Sequence, residues 1–201
     1  MSFPDQQTGV GMVRPFRKLT LDIDGVETAA PTSALFEWQQ MTSGKARLLI
    51  TAPPDQPGLF RALCDCLASP LFMLYVLHTP RSEARAGRYQ SPQLDNNQVA
   101  DVLAAFQPYL AGDGRHDTWV HSTGYGRTLI WDRHDLIYAE GEPLNDIVAV
   151  LEARGFADGS APRLGAAPHI HYYRAEFDAD AAALQARYAW SRTDLRPEDE
   201  Q

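Results

Sequence analysis

Cysteine and lysine are nearly missing from this chain. Cys64 and Cys66 are its only cysteines. They sit two apart in LFRALCDCLAS, a stretch with helical spacing, where such positions point about 200° apart. A disulfide or a shared metal is geometrically poor there, so the pair reads as free thiols in a reducing compartment. Lys18 and Lys45 are the only lysines, and every other basic residue is arginine. That skew, with abundant alanine, matches a GC-rich bacterial source.

Positive charge is also short. The 26 acidic residues outnumber 18 basic ones and leave a formal charge of −8. A net negative field repels phosphate backbones, which argues against general binding to nucleic acid or anionic membranes. No window approaches the roughly 18 apolar residues of a membrane span. The opening MSFPDQQTGVGMVRPFRK lacks the apolar run of about 7–15 residues that a secretory signal needs. The expected location is the cytoplasm.

Several signatures of chemistry are missing as well. There is no GxxxxGK[ST], no GxGxxG after a strand, no HExxH and no spaced cysteine set. HSTGYG holds Ser122 but not the GxSxG elbow. A triad of Asp135, His121 and Ser122 fails, because adjacent residues of one strand point to opposite faces.

What is present suits one globular domain. The 201 residues, 44% of them hydrophobic, are enough to bury a core without staples. Residues 1–15 read as a loose arm, 16–190 as the domain and 191–201 as a charged, solvated tail. Phe16 to Asp24 alternates like a half-buried strand and ends at an Asp24-Gly25 turn. SALFEWQQM is ambiguous between the two periods, and Pro31, Thr32 and Ser33 favour a capped helix. ARLLITA predicts a strand, Leu59 to Leu67 a helix, and LFMLYVLH a central strand covered on both faces. Val99, Leu103, Phe106 and Leu110 mark a helix that stops at Gly112-Asp113-Gly114. DTWVHST, RTLIWD and DLIYAE form an antiparallel meander. Leu144, Ile147, Val150 and Leu151 line another helix. PHIHYYRAEFD reads as a strand and Ala179 to Trp190 as the last helix.

The expected fold is therefore α+β, with a single mixed, largely antiparallel sheet and helices mainly on one face. Segments 46–111 and 135–190 both run strand, helix, strand, helix, so two βαβα-like halves form a possible pseudo-repeat.

Three constellations bear on function. On a strand, His169 and His171 share a face with Tyr173, Ala175 and Phe177. Imidazoles two apart can converge on one ion, and zinc needs three or four N, O or S ligands. His121 is the favoured third member, with His78, His134 and Glu140 as others. The plainer reading has both histidines hydrogen-bonded within an aromatic-rich sheet face. Second, Arg81, Arg85 and Arg88 with Tyr89 form a local basic cluster in a long polar linker. Such a loop is either solvated or a site for a partner or an anion. Third, Glu140 and Glu142 lie at a strand-to-helix junction, where the positive helix end is reason enough for them.

Two functional expectations result. The first is a non-catalytic accessory protein that needs no cofactor. It acts through protein contacts or self-association at the Arg81–Tyr89 loop and an aromatic sheet face. The second is a small-molecule enzyme or ligand-binding protein centred on His169, His171 and His121, assisted by Tyr173, either metal-free or with a divalent metal.

Overall fold

The computed structural model describes residues 17–30, 33–53, 56, 58–81, 85–162 and 167–200. The arm at 1–15 lies outside them. The chain runs β1 (Leu19–Ile23), β2 (Val26–Thr28), β3 (Leu35–Gln40), β4 (Ala46–Thr51), α1 (Leu59–Cys64), β5 (Leu71–Leu77) and β6 (Gly87–Gln90). Next come α2 (Asn96–Ala105), α3 (Gln107–Gly112), β7 (His116–Ser122), β8 (Arg127–Trp131), β9 (Leu136–Glu140) and α4 (Asn145–Ala153). The last elements are β10 (Ala157–Asp158), β11 (His169–His171), a 3-10 turn at Ala175–Phe177, α5 (Asp178–Arg187), β12 (Ser191–Thr193) and a 3-10 turn at Pro197–Glu200.

Nine strands form one sheet in the order β10-β3-β4-β9-β8-β7-β5-β6-β12. Only the β10–β3 pair is parallel. The α+β class and the mixed, largely antiparallel sheet agree with the expectation. A separate three-stranded sheet, β11-β1-β2, accompanies it. The first of the two similar halves keeps β4 and β5 in the large sheet, whereas the second divides β9 and β11 between the two sheets.

Alternation along the strands gives the large sheet two faces. Leu48, Ile50, Met73, Tyr75, Val120, Leu129, Ile137 and Ala139 point to one side and share a core with Leu63, Val102, Leu110, Ile147, Leu151, Ala181 and Leu184 from all five helices. Burying each large aliphatic side chain there contributes about 1.5–3 kcal/mol. Among the described residues, helices therefore cover only this face. The register puts Phe72, Leu74, Trp119, His121, Thr128 and Ile130 on the other.

Five segments differ from the sequence reading. SALFEWQQM is a strand, because pairing of β3 with β4 and β10 outweighs the capping signal of Thr32-Ser33. The helix from Val99 to Leu110 is two, divided at Phe106, since Pro108 at the start of α3 lacks the amide hydrogen that continuity requires. The polar linker contains β6, and the tail contains β12, which pairs with it. The long histidine strand ends at His171.

Candidate metal centre

The site begins with Lys18, which enters β1 fully buried. Its backbone amide donates to Asp135 Oδ2 at 2.9 Å, and its ammonium donates to the carbonyl of Asp132 at 2.9 Å. The ammonium also sits 4.6 Å above the Trp131 ring. Burial pulls the Lys18 amine below its ordinary value, against the upward pull of Asp135, Asp117, Asp132 and Asp113. Burial likewise raises the Asp135 carboxyl to about 6, with Lys18 opposing it. One side chain thus binds the start of β1 to the turn between β8 and β9.

Strand β11 pairs with β1, so the same anchor delivers the histidines. Leu19 faces His171 and Leu21 faces His169. Beyond His171, Tyr172 receives Gly114 N–H and donates to Lys18 O, both at 2.8 Å. Arg174 N–H donates to Asp113 Oδ2 at 3.0 Å. These bonds turn the chain out of the strand. As a result, the five-residue face expected from His169 to Phe177 does not form.

At the β8–β9 turn, Asp132 Oδ1 accepts the backbone amides of His134 and Leu136, each at 2.9 Å. This short polar loop, DRHD, presents His134 to the pair on β11. The rings of His134 and His169 lie 5.1 Å apart, those of His134 and His171 5.2 Å, and those of His169 and His171 4.8 Å. One nitrogen from each lies within 4.8 Å of the other two.

The tautomers follow from the acceptors. Asp132 Oδ2 lies 3.2 Å from His134 Nδ1, and Ala167 O lies 2.8 Å from His169 Nδ1. Neither oxygen carries a hydrogen, so both Nδ1 atoms donate and the Nε2 lone pairs are left for the shared space. His169 Nε2 and His171 Nε2 are 3.2 Å apart. Two imidazoles on a tetrahedral zinc at about 2.0–2.1 Å place their nitrogens roughly 3.3–3.4 Å apart. Burial, helped by the charges of His134, His169, Arg133 and Lys18, pushes His171 down to about 3. The neutral ring is the ligating form.

Gly114 sets how closely the elements approach. A Cβ on it would lie 2.4 Å from Lys18 O and 2.8 Å from His171 Nδ1. Tyr173, 41% exposed, lies beside His171 with ring planes 9° apart and centroids 6.3 Å apart.

The other candidates are elsewhere. His121, the favoured third histidine, bonds through Nδ1 to Thr128 Oγ1 at 2.9 Å on the helix-free face. It cannot join the pair, because β11 pairs with β1 and not with β7. His121 instead lines a depression of about 350 Å³ with Phe72, Leu74, Gln90, Trp119 and Thr128. His78 bonds to Asp117 at 2.9 Å, and Glu140 pairs with Arg47.

The basic cluster is divided among different tasks. Arg81 binds Asp178 at 3.0 Å, Arg88 is buried against Asp199, and Tyr89 is buried in β6. Arg85 is exposed and its carbonyl accepts the Tyr89 hydroxyl.

His134, Asp132, Lys18 and Gly114 were not singled out as a group by sequence reasoning. The available signal was an aspartate two residues before a histidine in a strand-to-strand turn. Comparison with protein-family models, with curated proteins and with solved structures finds no match. Among the described residues, no helix is long and apolar enough to cross a membrane.

Proposed function

We propose that this chain is a small-molecule enzyme or ligand-binding protein built around a divalent ion of the zinc type, held by His134, His169 and His171. The observation that carries the reading is the convergence of these three imidazoles, two with Nδ1 committed to an outer acceptor. Carbonyl and carboxylate partners of this kind orient histidine ligands in metal sites. Three protein ligands leave at least one position for water or substrate, the arrangement of catalytic zinc. The ion would supply Lewis acidity and a bound water of lowered pKa. Asp132 and Ala167 O hold the rings, and the exposed Tyr173 offers a hydroxyl at the margin.

Elemental analysis of protein purified without a histidine tag tests the reading. One equivalent of zinc or a similar ion is expected, lost in His134→Ala and His169→Ala but kept in His121→Ala. Absence of stoichiometric zinc, iron, nickel and manganese, before and after reloading, rejects it.

An accessory role through protein contacts retains one supporting observation. Phe72, Leu74 and Trp119 stand half-exposed around the depression on the helix-free face. Aromatic residues are common interface anchors. A strict monomer by light scattering, with no recovered partner, counts against that role.

A further inference from the structure

The small sheet is amphipathic, and its apolar side is the one that carries the histidines. Antiparallel pairing puts directly opposed residues on the same face. His171 lies opposite Leu19, and His169 lies in a row with Leu21 and Thr28. The next row is Ile23 opposite Val26. Thr20, Asp22, Glu27 and the 44% exposed Ile170 take the reverse side by alternation.

Exposure along the apolar face rises away from the core. Leu19 is buried with Ala30, Leu21 packs beside them, and Ile23 and Val26 are 51% and 62% exposed. Single exposed apolar residues are ordinary on any surface. An apolar row continuous with a set of ligating nitrogens is a different arrangement, because a molecule bound at the ion can lie along it. Two residues of strand carry that row about 6.5–7 Å beyond the His169 row.

Charge defines the other end. Arg133 adjoins His134 in the turn, and its backbone amide donates to Asp117 Oδ1 at 2.8 Å. Among the described residues its guanidinium has no carboxylate partner, although Arg is a fork suited to carboxylates. We infer that the ligand of this site is an amphiphilic carboxylate, with its head at the open metal position beside Arg133 and its apolar tail along Leu21, Ile23 and Val26. The inference rests on the metal reading of His134, His169 and His171.

The test uses the full chain loaded with Co(II), whose visible bands report its ligands. Acetate, butyrate, hexanoate and octanoate are titrated in turn. Each is expected to shift the bands, with affinity rising about two- to fourfold per methylene between butyrate and octanoate, as burial of apolar carbon dictates. In the double variant Ile23→Ser, Val26→Ser, acetate should bind as before and the chain-length gain should flatten. Arg133→Met should weaken every carboxylate by a similar factor, about tenfold, without changing the gain. Equal affinities across the series, or an undiminished gain in the double variant, overturn the apolar tail. Unaltered carboxylate affinity in Arg133→Met overturns the anionic head. A protein that takes up no cobalt removes the metal reading and this inference together, an outcome distinct from the others.

Discussion

Asp132 Oδ2 lies 3.2 Å from His134 Nδ1, while Asp132 Oδ1 accepts the backbone amides of His134 and Leu136. One carboxylate therefore shapes the turn and fixes the tautomer of the ring that the turn presents. Asp132→Asn keeps an oxygen for the two amides but puts a donor where the ring needs an acceptor. Metal affinity should fall about 10–100-fold, with little change in the melting temperature of the metal-free protein. Competition against a chromophoric chelator measures it. Unchanged affinity would show that the contact does not govern the ligand.

Gly114 sits where the loop before β7 meets the small sheet, its amide donating to Tyr172 O. Gly114→Ala must move either Lys18 O or His171, whose atoms would lie 2.4 and 2.8 Å from the new carbon. A loss of about 1–3 kcal/mol in urea unfolding is expected, together with weaker metal binding. Gly124→Ala is the control, since its new carbon would meet nothing nearer than 3.9 Å.

His116 is fully buried between Tyr75 and Tyr109, with ring centroids 5.1 and 4.7 Å away. Burial, reinforced by the charges of Lys18, Arg115 and His78, holds its imidazole far below the usual value. The unfolded chain gains a proton near pH 6.5 that the folded ring refuses, so stability falls as pH drops below that point. The slope for one such group reaches about 1.4 kcal/mol per pH unit. His171, at about 3, acts in the same sense. Asp135, raised by burial from 3.8 to about 6, acts in the opposite sense between those values. The difference between the natural chain and His116→Phe isolates one contribution. The variant should lose less stability between pH 6.5 and 4.5, and parallel curves would contradict this.

Arg115 and Asp113 form a wholly buried ion pair at 2.8 Å, and Arg115 reaches Asp178 at 3.1 Å. Arg115→Met leaves the Asp113 charge without its main partner and should cost about 3–5 kcal/mol. Arg81→Ala, at the partly exposed pair with Asp178, should cost no more than about 1 kcal/mol. Urea denaturation of the two variants compares them directly.

Local pattern revealed much of the fold: ARLLITA is a short apolar, β-compatible run, and the turn breaks between DTWVHST, RTLIWD and DLIYAE mark a meander, all of which lie in the large sheet. SALFEWQQM resisted, since its two periods fit nearly equally and strand pairing made the choice. Arg88 and Tyr89 looked like loop residues because only one of the two strands that flank β6 is near in sequence; β12 and Asp199 lie about a hundred residues away. The histidine pair was legible from its spacing. Its third member, His134, stood among the alternatives but behind His121, because it reaches the pair through the Lys18 anchor, and a buried lysine held by backbone carbonyls leaves no pattern in the sequence. Neighbouring strands had favoured His121, but β11 lies in the small sheet, and the β8–β9 turn of the large sheet supplied His134.

The most direct measurement is X-ray absorption at the zinc edge of the loaded protein. Three imidazole nitrogens at about 2.0–2.1 Å with one or two oxygen ligands are predicted, with loss of the bound ion in His134→Ala. A shell containing sulfur, an ion surrounded by water alone, or an unchanged spectrum in His134→Ala would contradict it.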